Sequence, residues 1–212
     1  MSGLAVTPIS TVEAVVVSLR EKILDGAIAP GARLPEAELT REFGVARPTV
    51  RAAIQTLRHE GLLQRERNRS AFVPQLSHDE VRDLFSVRIP IECLIGRRVL
   101  EGSAPLGDVR AAIARLSELT ERSHWSEVVD ADLGFHHALA RAAGSPRLVR
   151  LYESMSGEIR LCIAQLRPAW TSPAAMAAEH RELLDVVERG DVAATEARMT
   201  AHLERAVHDL TR

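Results

Sequence analysis

Apolar residues recur along this chain with two different rhythms, and the change falls near residue 75. Drawn on a helix at about 100° per residue, Val50, Ala53, Ile54 and Leu57 share one side. Arg47, Arg51, Gln55 and Arg58 share the opposite side. Upstream, Glu36-Ala-Glu-Leu-Thr-Arg-Glu-Phe43 predicts a short helix ended by Gly44, with Val45-Ala46 as the turn and Pro48 suited to the first turn of the next helix. Gly61 suits the position just past a helix end. Leu62-Leu63-Gln-Arg-Glu66 and Ser70-Ala-Phe-Val73 are short strand-like runs around Arg67-Asn68-Arg69, which predicts a β-hairpin with a basic tip.

Past Pro74-Gln-Leu-Ser-His78 the strand signals stop and a helical period takes over. It predicts helices over 78–101, 107–123, 126–143, 146–167, 173–189 and 191–211. Gly102-Ser-Ala-Pro105, Gly144-Ser-Pro146, the stretch from Pro168 to Pro173, and Gly190 separate them. The fold class is therefore mainly α, an N-terminal winged helix-turn-helix over 8–75 followed by an all-α helical bundle over 78–211.

Charge sharpens the reading of the first part. The net charge is only −2, yet residues 47–69 hold six arginines against Glu60 and Glu66. Arginine takes phosphate or guanine with its fork of donors, and glutamine can pair with adenine. The polar side of the 47–61 helix carries no acid of its own. Arg67 and Arg69 at a hairpin tip are placed to reach the DNA backbone or the adjacent minor groove. The plainer alternative is a solvated surface helix and an ordinary exposed turn. Aromatic content of 3% leaves little for base stacking, which argues against a single-strand or RNA binder.

The motifs in this part carry a resemblance. Leu19-Arg-Glu-Lys-Ile-Leu-Asp-Gly26, Pro30-Gly-Ala-Arg-Leu-Pro-Glu36, Gly44-Val-Ala-Arg-Pro-Thr-Val-Arg51 and Leu57-Arg-His-Glu-Gly-Leu-Leu63 resemble the DNA-binding domain of GntR-family transcription regulators. The resemblance implies that Arg47, Thr49 and Arg51 face operator DNA. Two positions depart from the family pattern: Ala46 stands where serine or threonine is common, and Asn68 where the wing tip often has glycine.

Two cysteines, Cys93 and Cys162, sit in apolar helical patterns and support no disulfide framework, so both are expected to be reduced and buried. The apolar run from Val12 to Leu19 is interrupted by Glu13 and too short to span a bilayer, and residues 1–9 lack the features of a signal peptide. A cytoplasmic protein with no membrane partner is expected.

Histidines carry the chemistry of the second part. Asp132-Leu-Gly-Phe-His136 sets a carboxylate and an imidazole one turn apart on one helical face. With His180 and His202 on the last two predicted helices, the set suits a divalent transition ion such as Zn, Ni, Fe or Mn. Ligands spread over three helices converge only inside a bundle. Read by spacing alone, the histidines could equally be satisfied core or solvated surface residues. His59, His78, His124 and His208 are read as surface residues, and His137 as outside the set.

Asp132-Leu-Gly-Phe-His-His-Ala-Leu139, Glu179-His180 and Asp191-Val-Ala-Ala-Thr-Glu-Ala-Arg-Met199 running into His202-Leu resemble the FCD effector-binding domain of the FadR-like branch of that family. The resemblance implies that Asp132, His136, His180 and His202 hold a divalent ion. It also implies that Arg88, within Val81-Arg-Asp-Leu-Phe-Ser-Val-Arg88-Ile-Pro-Ile-Glu92, faces an effector pocket and takes a carboxylate. The alternative for Arg88 is a surface pair with Glu92 at i, i+4. Pro90 inside that helix is expected to kink it, and Ser145 stands where the family commonly has asparagine.

The implied function is a homodimeric regulator of transcription, a repressor rather than an activator, that binds double-stranded operator DNA and answers to a small organic acid. Two-fold symmetry doubles the contacts one winged helix makes on a palindrome. The rivals are a metal sensor whose ion is the signal, and a metalloenzyme using metal-bound water. Against the enzyme, His59-Glu60 lacks the second histidine of an HExxH motif.

Overall fold

The computed structural model describes residues 9–67, 69–102, 104–165 and 172–212. Asn68 and the stretch from Pro168 to 171 lie outside the described residues. The chain divides into two compact units, 1–75 and 76–212.

The first unit runs α1 (Thr11–Leu24), β1 (Arg33–Leu34), α2 (Glu36–Phe43), α3 (Arg47–His59), β2 (Gln64–Arg65) and β3 (Ala71–Phe72). Ser10 starts α1 by accepting the Glu13 N–H at 3.1 Å. Val15, Val16, Leu19 and Ile23 of α1 are buried with Val50, Ala53, Ile54 and Leu57 of α3, the two helices packing together. Gly44, at φ 63°, adopts the left-handed conformation that ends α2 and turns the chain into α3. Ala46 caps α3 without a side-chain hydrogen bond, the consequence of the missing hydroxyl. The hairpin forms as expected, with β3 between β2 and β1. β3 pairs antiparallel with both, Phe72 opposite Gln64 and Arg33.

The second unit is all helix in its regular elements: α4 (His78–Glu101), α5 (Gly107–Glu118), α6 (Trp125–Ala142), α7 (Pro146–Gln165), α8 (Pro173–Glu188) and α9 (Val192–Leu210). Ser77 and Glu80 form a reciprocal capping box at the start of α4. α6 is buried on nearly every side, from Trp125 through Phe135 to Ala140, and so forms the centre of the unit. α4 packs against α6, α7 and α9; α5 against α6 and α8; and α8 against α9. Among the described residues no helix is long and apolar enough to cross a membrane.

Two expectations are corrected. The 107–123 helix stops at Glu118, because Thr120 and Ser123 close a turn instead: the Thr120 N–H donates to Ser123 Oγ at 3.1 Å, and the Ser123 N–H to the Thr120 carbonyl at 3.0 Å. α4 runs on through Pro90 without a break. Pro90 and Ser86 are both exposed, so the carbonyl that proline leaves without an N–H partner belongs to the solvent side of the helix. Cys93 is half-buried rather than buried, its thiol facing the Glu196 carbonyl and Thr200 Oγ1; Cys162 is buried, and both are free thiols. Ser145 lies just before α7, its Oγ accepting the Leu148 N–H at 3.4 Å.

Candidate functional site

α6 carries Asp132 and His136 one turn apart, α8 brings in His180, and α9 brings in His202. All four are buried. The three imidazoles form a triangle with ring centroids 5.3, 5.4 and 5.0 Å apart, and one ring nitrogen of each lies within 4.8 Å of the other two. Asp132 stands against this triangle rather than within that 4.8 Å set, its Oδ1 lying 3.1 Å from His180 Nε2.

The surroundings fix which nitrogens face inward. His180 Nδ1 lies 2.8 Å from the Met176 carbonyl oxygen, which can only accept, so Nδ1 carries a proton and Nε2 is the nitrogen turned to Asp132. His136 Nδ1 lies 2.6 Å from Glu92 Oε2. Burial pushes the Glu92 carboxyl up, and Arg88 and His136 outweigh it, drawing the pKa down to about 2. Glu92 is therefore the acceptor, and His136 turns its Nε2 inward. Among the described residues neither inward Nε2 has an aligned hydrogen-bond partner, although Asp132 Oδ1 lies 3.1 Å from that of His180. His202 Nδ1 lies 3.1 Å from Glu179 Oε1, out of hydrogen-bonding alignment, and Glu179 is also paired with Arg205.

This arrangement fits a cation. A buried nitrogen without a donor is costly, and the Asp132 carboxylate 3.1 Å from His180 Nε2 calls for positive charge there, which a bound cation or the His180 proton supplies. Burial pushes Asp132 up, and His180, His136 and Arg88 together hold it below the usual carboxylate range. Burial lowers His180, and Asp132 more than reverses this, raising it. Burial lowers His202 to about 4, with His180 and His136 adding to the effect. The donor set is nitrogen and oxygen, and His136 and His180 each have an outer hydrogen-bond partner of the kind that orients metal ligands.

Arg88 and Glu92 make the pair that the spacing allowed, but in the interior, with 2% exposure each and Nε to Oε1 2.5 Å. The surface-pair alternative is thereby overturned. Arg88 lies over the Phe85 ring at 5.1 Å, with the buried Tyr152 hydroxyl nearby. Three participants were not anticipated: Glu92 as the partner of His136, Glu179 beside His202, and Tyr152. Glu92 had a signal, because it falls on the apolar stripe of α4 (Val81, Leu84, Phe85, Ile95, Val99) where a surface acid would not. His137 stands apart, its Nε2 3.0 Å from Ser156 Oγ, and His59, His78, His124 and His208 are exposed.

In the first unit, α3 presents Arg47, Arg51 and Gln55 to solvent, with Thr49 half-buried. Arg67 and Arg69 are exposed beside the hairpin tip. The α3 face is not free of acid, because α2 supplies one: Glu36 lies 3.1 Å from Arg51 and 3.4 Å from Arg65. Arg69 pairs with Glu66 at 2.6 Å, and Gln55 is held between Arg58 and His59 at 3.0 Å each.

Residues 11–73 match the gntR family of bacterial regulatory proteins, and residues 83–205 match the FCD domain. The HTH-type transcriptional regulator BphR of Paraburkholderia xenovorans is 31% identical over 210 residues, spanning 93% of this chain and 84% of its own. The HTH-type transcriptional repressor RspR of Escherichia coli is 26% identical over 188 residues, spanning 88% and 82%. A solved GntR transcriptional regulator from Rhodococcus sp. RHA1 superposes with a TM-score of 0.75 at 28% identity, covering 94% of this chain and 96% of that one. The chain belongs to the GntR family of bacterial transcription regulators, a family of DNA-binding proteins rather than enzymes, and its C-terminal unit is an FCD domain.

Proposed function

We propose that this chain is a homodimeric repressor whose FCD domain, over 78–211, holds a divalent metal ion and a small carboxylate, and whose winged helix, over 8–75, reads operator DNA. His136, His180 and His202 are the ion's nitrogen ligands, and Asp132 supplies an oxygen. The observation that carries this reading is the convergence of three buried imidazoles, one nitrogen of each within 4.8 Å of the others, with the His136 and His180 rings each fixed by a hydrogen bond at Nδ1. When bound, the ion supplies a Lewis-acidic centre for a carboxylate. Arg88, buried beside it, adds the cationic donor for the acid. Arg47, Thr49, Arg51 and Gln55 face the major groove, and Arg67 and Arg69 the backbone.

One observation favours a second reading. Arg88 is already neutralised by Glu92 at 2.5 Å, so an incoming acid competes with a buried partner. In that reading the ion alone is the signal. Operator binding titrated first with zinc, nickel or manganese, then with metal plus a panel of small organic acids, separates the two. Release that requires an acid supports the leading reading, and release by metal alone supports the sensor. A metal-stripped protein that takes up no divalent ion on reconstitution removes both.

A further inference from the structure

The three histidines of the candidate metal centre are not equally closed off. His136 and His180 keep 1% and 0% exposure, whereas His202 keeps 7% and opens onto a charged pair. The acid of that pair is Glu179, the residue before His180 on α8, and the base is Arg205, one turn after His202 on α9. Glu179 is itself buried, yet its two oxygens are used unequally. Oε1 takes the Arg205 guanidinium and lies 3.1 Å from His202 Nδ1, while Oε2 has no hydrogen-bond partner among the described residues. The Arg205 side chain is 51% exposed. His202, Glu179 and Arg205 thus lead from the centre to the surface as a ligand, a buried acid with an idle oxygen, and an exposed cation over that acid. A buried carboxylate oxygen without a donor is costly, and packing alone would be served better by an uncharged residue.

We propose that Glu179 and Arg205 are the gate through which the divalent ion enters and leaves the centre. The inference rests on the metal reading of the preceding section and adds the route. With the gate shut, Arg205 occupies the Glu179 carboxylate and sets a positive charge outside His202, which repels an approaching cation. With Arg205 turned into solvent, Glu179 offers an arriving ion both oxygens, Oε1 released by the arginine and Oε2 already idle, and passes it to the imidazole beside it. An acid at the mouth of a site raises the local concentration of cations, which is what a narrow entrance to a buried centre needs. Opening asks little of the fold, because Arg205 is half in water before it moves and an ion pair at the surface is weak.

Stopped-flow uptake of zinc by the metal-stripped full chain, and release of zinc to excess chelator, test the gate, with circular dichroism confirming that each variant is folded. A gate acts on both rates. Arg205→Ala should therefore speed uptake and release alike, each about tenfold, while the dissociation constant moves by less than either rate. Glu179→Gln should slow uptake about tenfold, because the arriving ion loses its charged stopping place. Arg198→Ala is the control: it removes the 2.5 Å bridge to Glu182, another link between α9 and α8, and should leave both rates at wild-type values. Loosened packing cannot imitate this result, since it hastens release without hastening uptake. Wild-type uptake in Arg205→Ala, or an Arg198→Ala effect as large as that of Arg205→Ala, overturns the gate. So does Glu179→Gln with faster release and unchanged uptake, which leaves Glu179 only the orientation of His202. In each of these cases the metal centre stands. A wild-type chain that takes up no zinc overturns the metal reading itself, and the gate with it.

Discussion

Glu92→Gln is the sharpest perturbation of the metal centre, because one carboxylate serves two donors. Arg88 Nε–H and His136 Nδ1–H reach its two oxygens at 2.5 and 2.6 Å, all three side chains being buried. Glutamine keeps the shape but offers one oxygen and one NH2, so one donor must face another. The cation has more to lose, so the amide oxygen stays on Arg88 and the NH2 turns to His136. That forces His136 Nδ1 to accept, moves its proton to Nε2, and removes the lone pair that faces the centre. Losing the partner that orients a ligating histidine reduces metal affinity about 10- to 100-fold, or about 1.4–2.8 kcal/mol. Stability falls as well. Breaking a buried ion pair costs about 3–5 kcal/mol, and the retained oxygen places this change near the lower end. At about 2–4 °C per kcal/mol the unfolding midpoint drops by roughly 6–12 °C. Competition of the metal-free protein against a zinc chelator, at a temperature where both forms are folded, gives the affinity ratio. Nitrogen-15 shifts of His136 report the tautomer. A folded variant that binds zinc as tightly as wild type, with Nδ1 still protonated, refutes the reasoning.

Three further outcomes are expected. Arg47→Ala or Arg51→Ala should cost about 1–3 kcal/mol of operator affinity and relax specificity at one symmetric pair of positions, whereas Arg67→Ala and Arg69→Ala should weaken all duplexes alike and flatten the salt slope; uniform loss from Arg51→Ala would place it on phosphate instead. Saturating zinc at about 100 times its dissociation constant should stabilise the wild type by about 2.7 kcal/mol, and His180→Ala should lose most of that increment in a thermal melt with and without chelator. Burial pushes the Cys162 thiol up to about 12, so it stays protonated in the folded chain through pH 9 while an unfolded cysteine ionises near ~8.5; its contribution to stability is full below ~8.5 and falls as pH rises above it, and iodoacetamide peptide mapping at pH 8 should label Cys162 only on unfolding, a rate matching the half-buried Cys93 being the contrary result.

How much of this was legible in the sequence depends on whether the deciding force was local. α2, α3 and the six later helices announce themselves through apolar spacing and through breakers such as Gly44 and Gly190, because the core and the turn chemistry act on neighbouring residues. β1 does not, since two residues make no pattern, and Arg33–Leu34 is a strand only because β3 arrives from some forty residues away to pair with it. α1 is also hard to read from the sequence, its first apolar run being broken by Glu13. At the candidate metal centre, Asp132 and His136 share a face by spacing, but nothing local says that His180 and His202 meet them. That convergence is a property of how α6, α8 and α9 pack. The Arg88–Glu92 pair lies between the two cases. Its spacing fits a surface pair worth tenths of a kcal/mol, and only its place on the wheel says otherwise. Positions 81, 84, 85, 88, 92, 95 and 99 form one continuous buried stripe, so a charge at 88 had to be buried and had to bring its partner with it. On a helix with a well-defined apolar face, a charged pair on that face is the signal of a site, and the partner it needs is the residue that spacing alone misassigns to the surface.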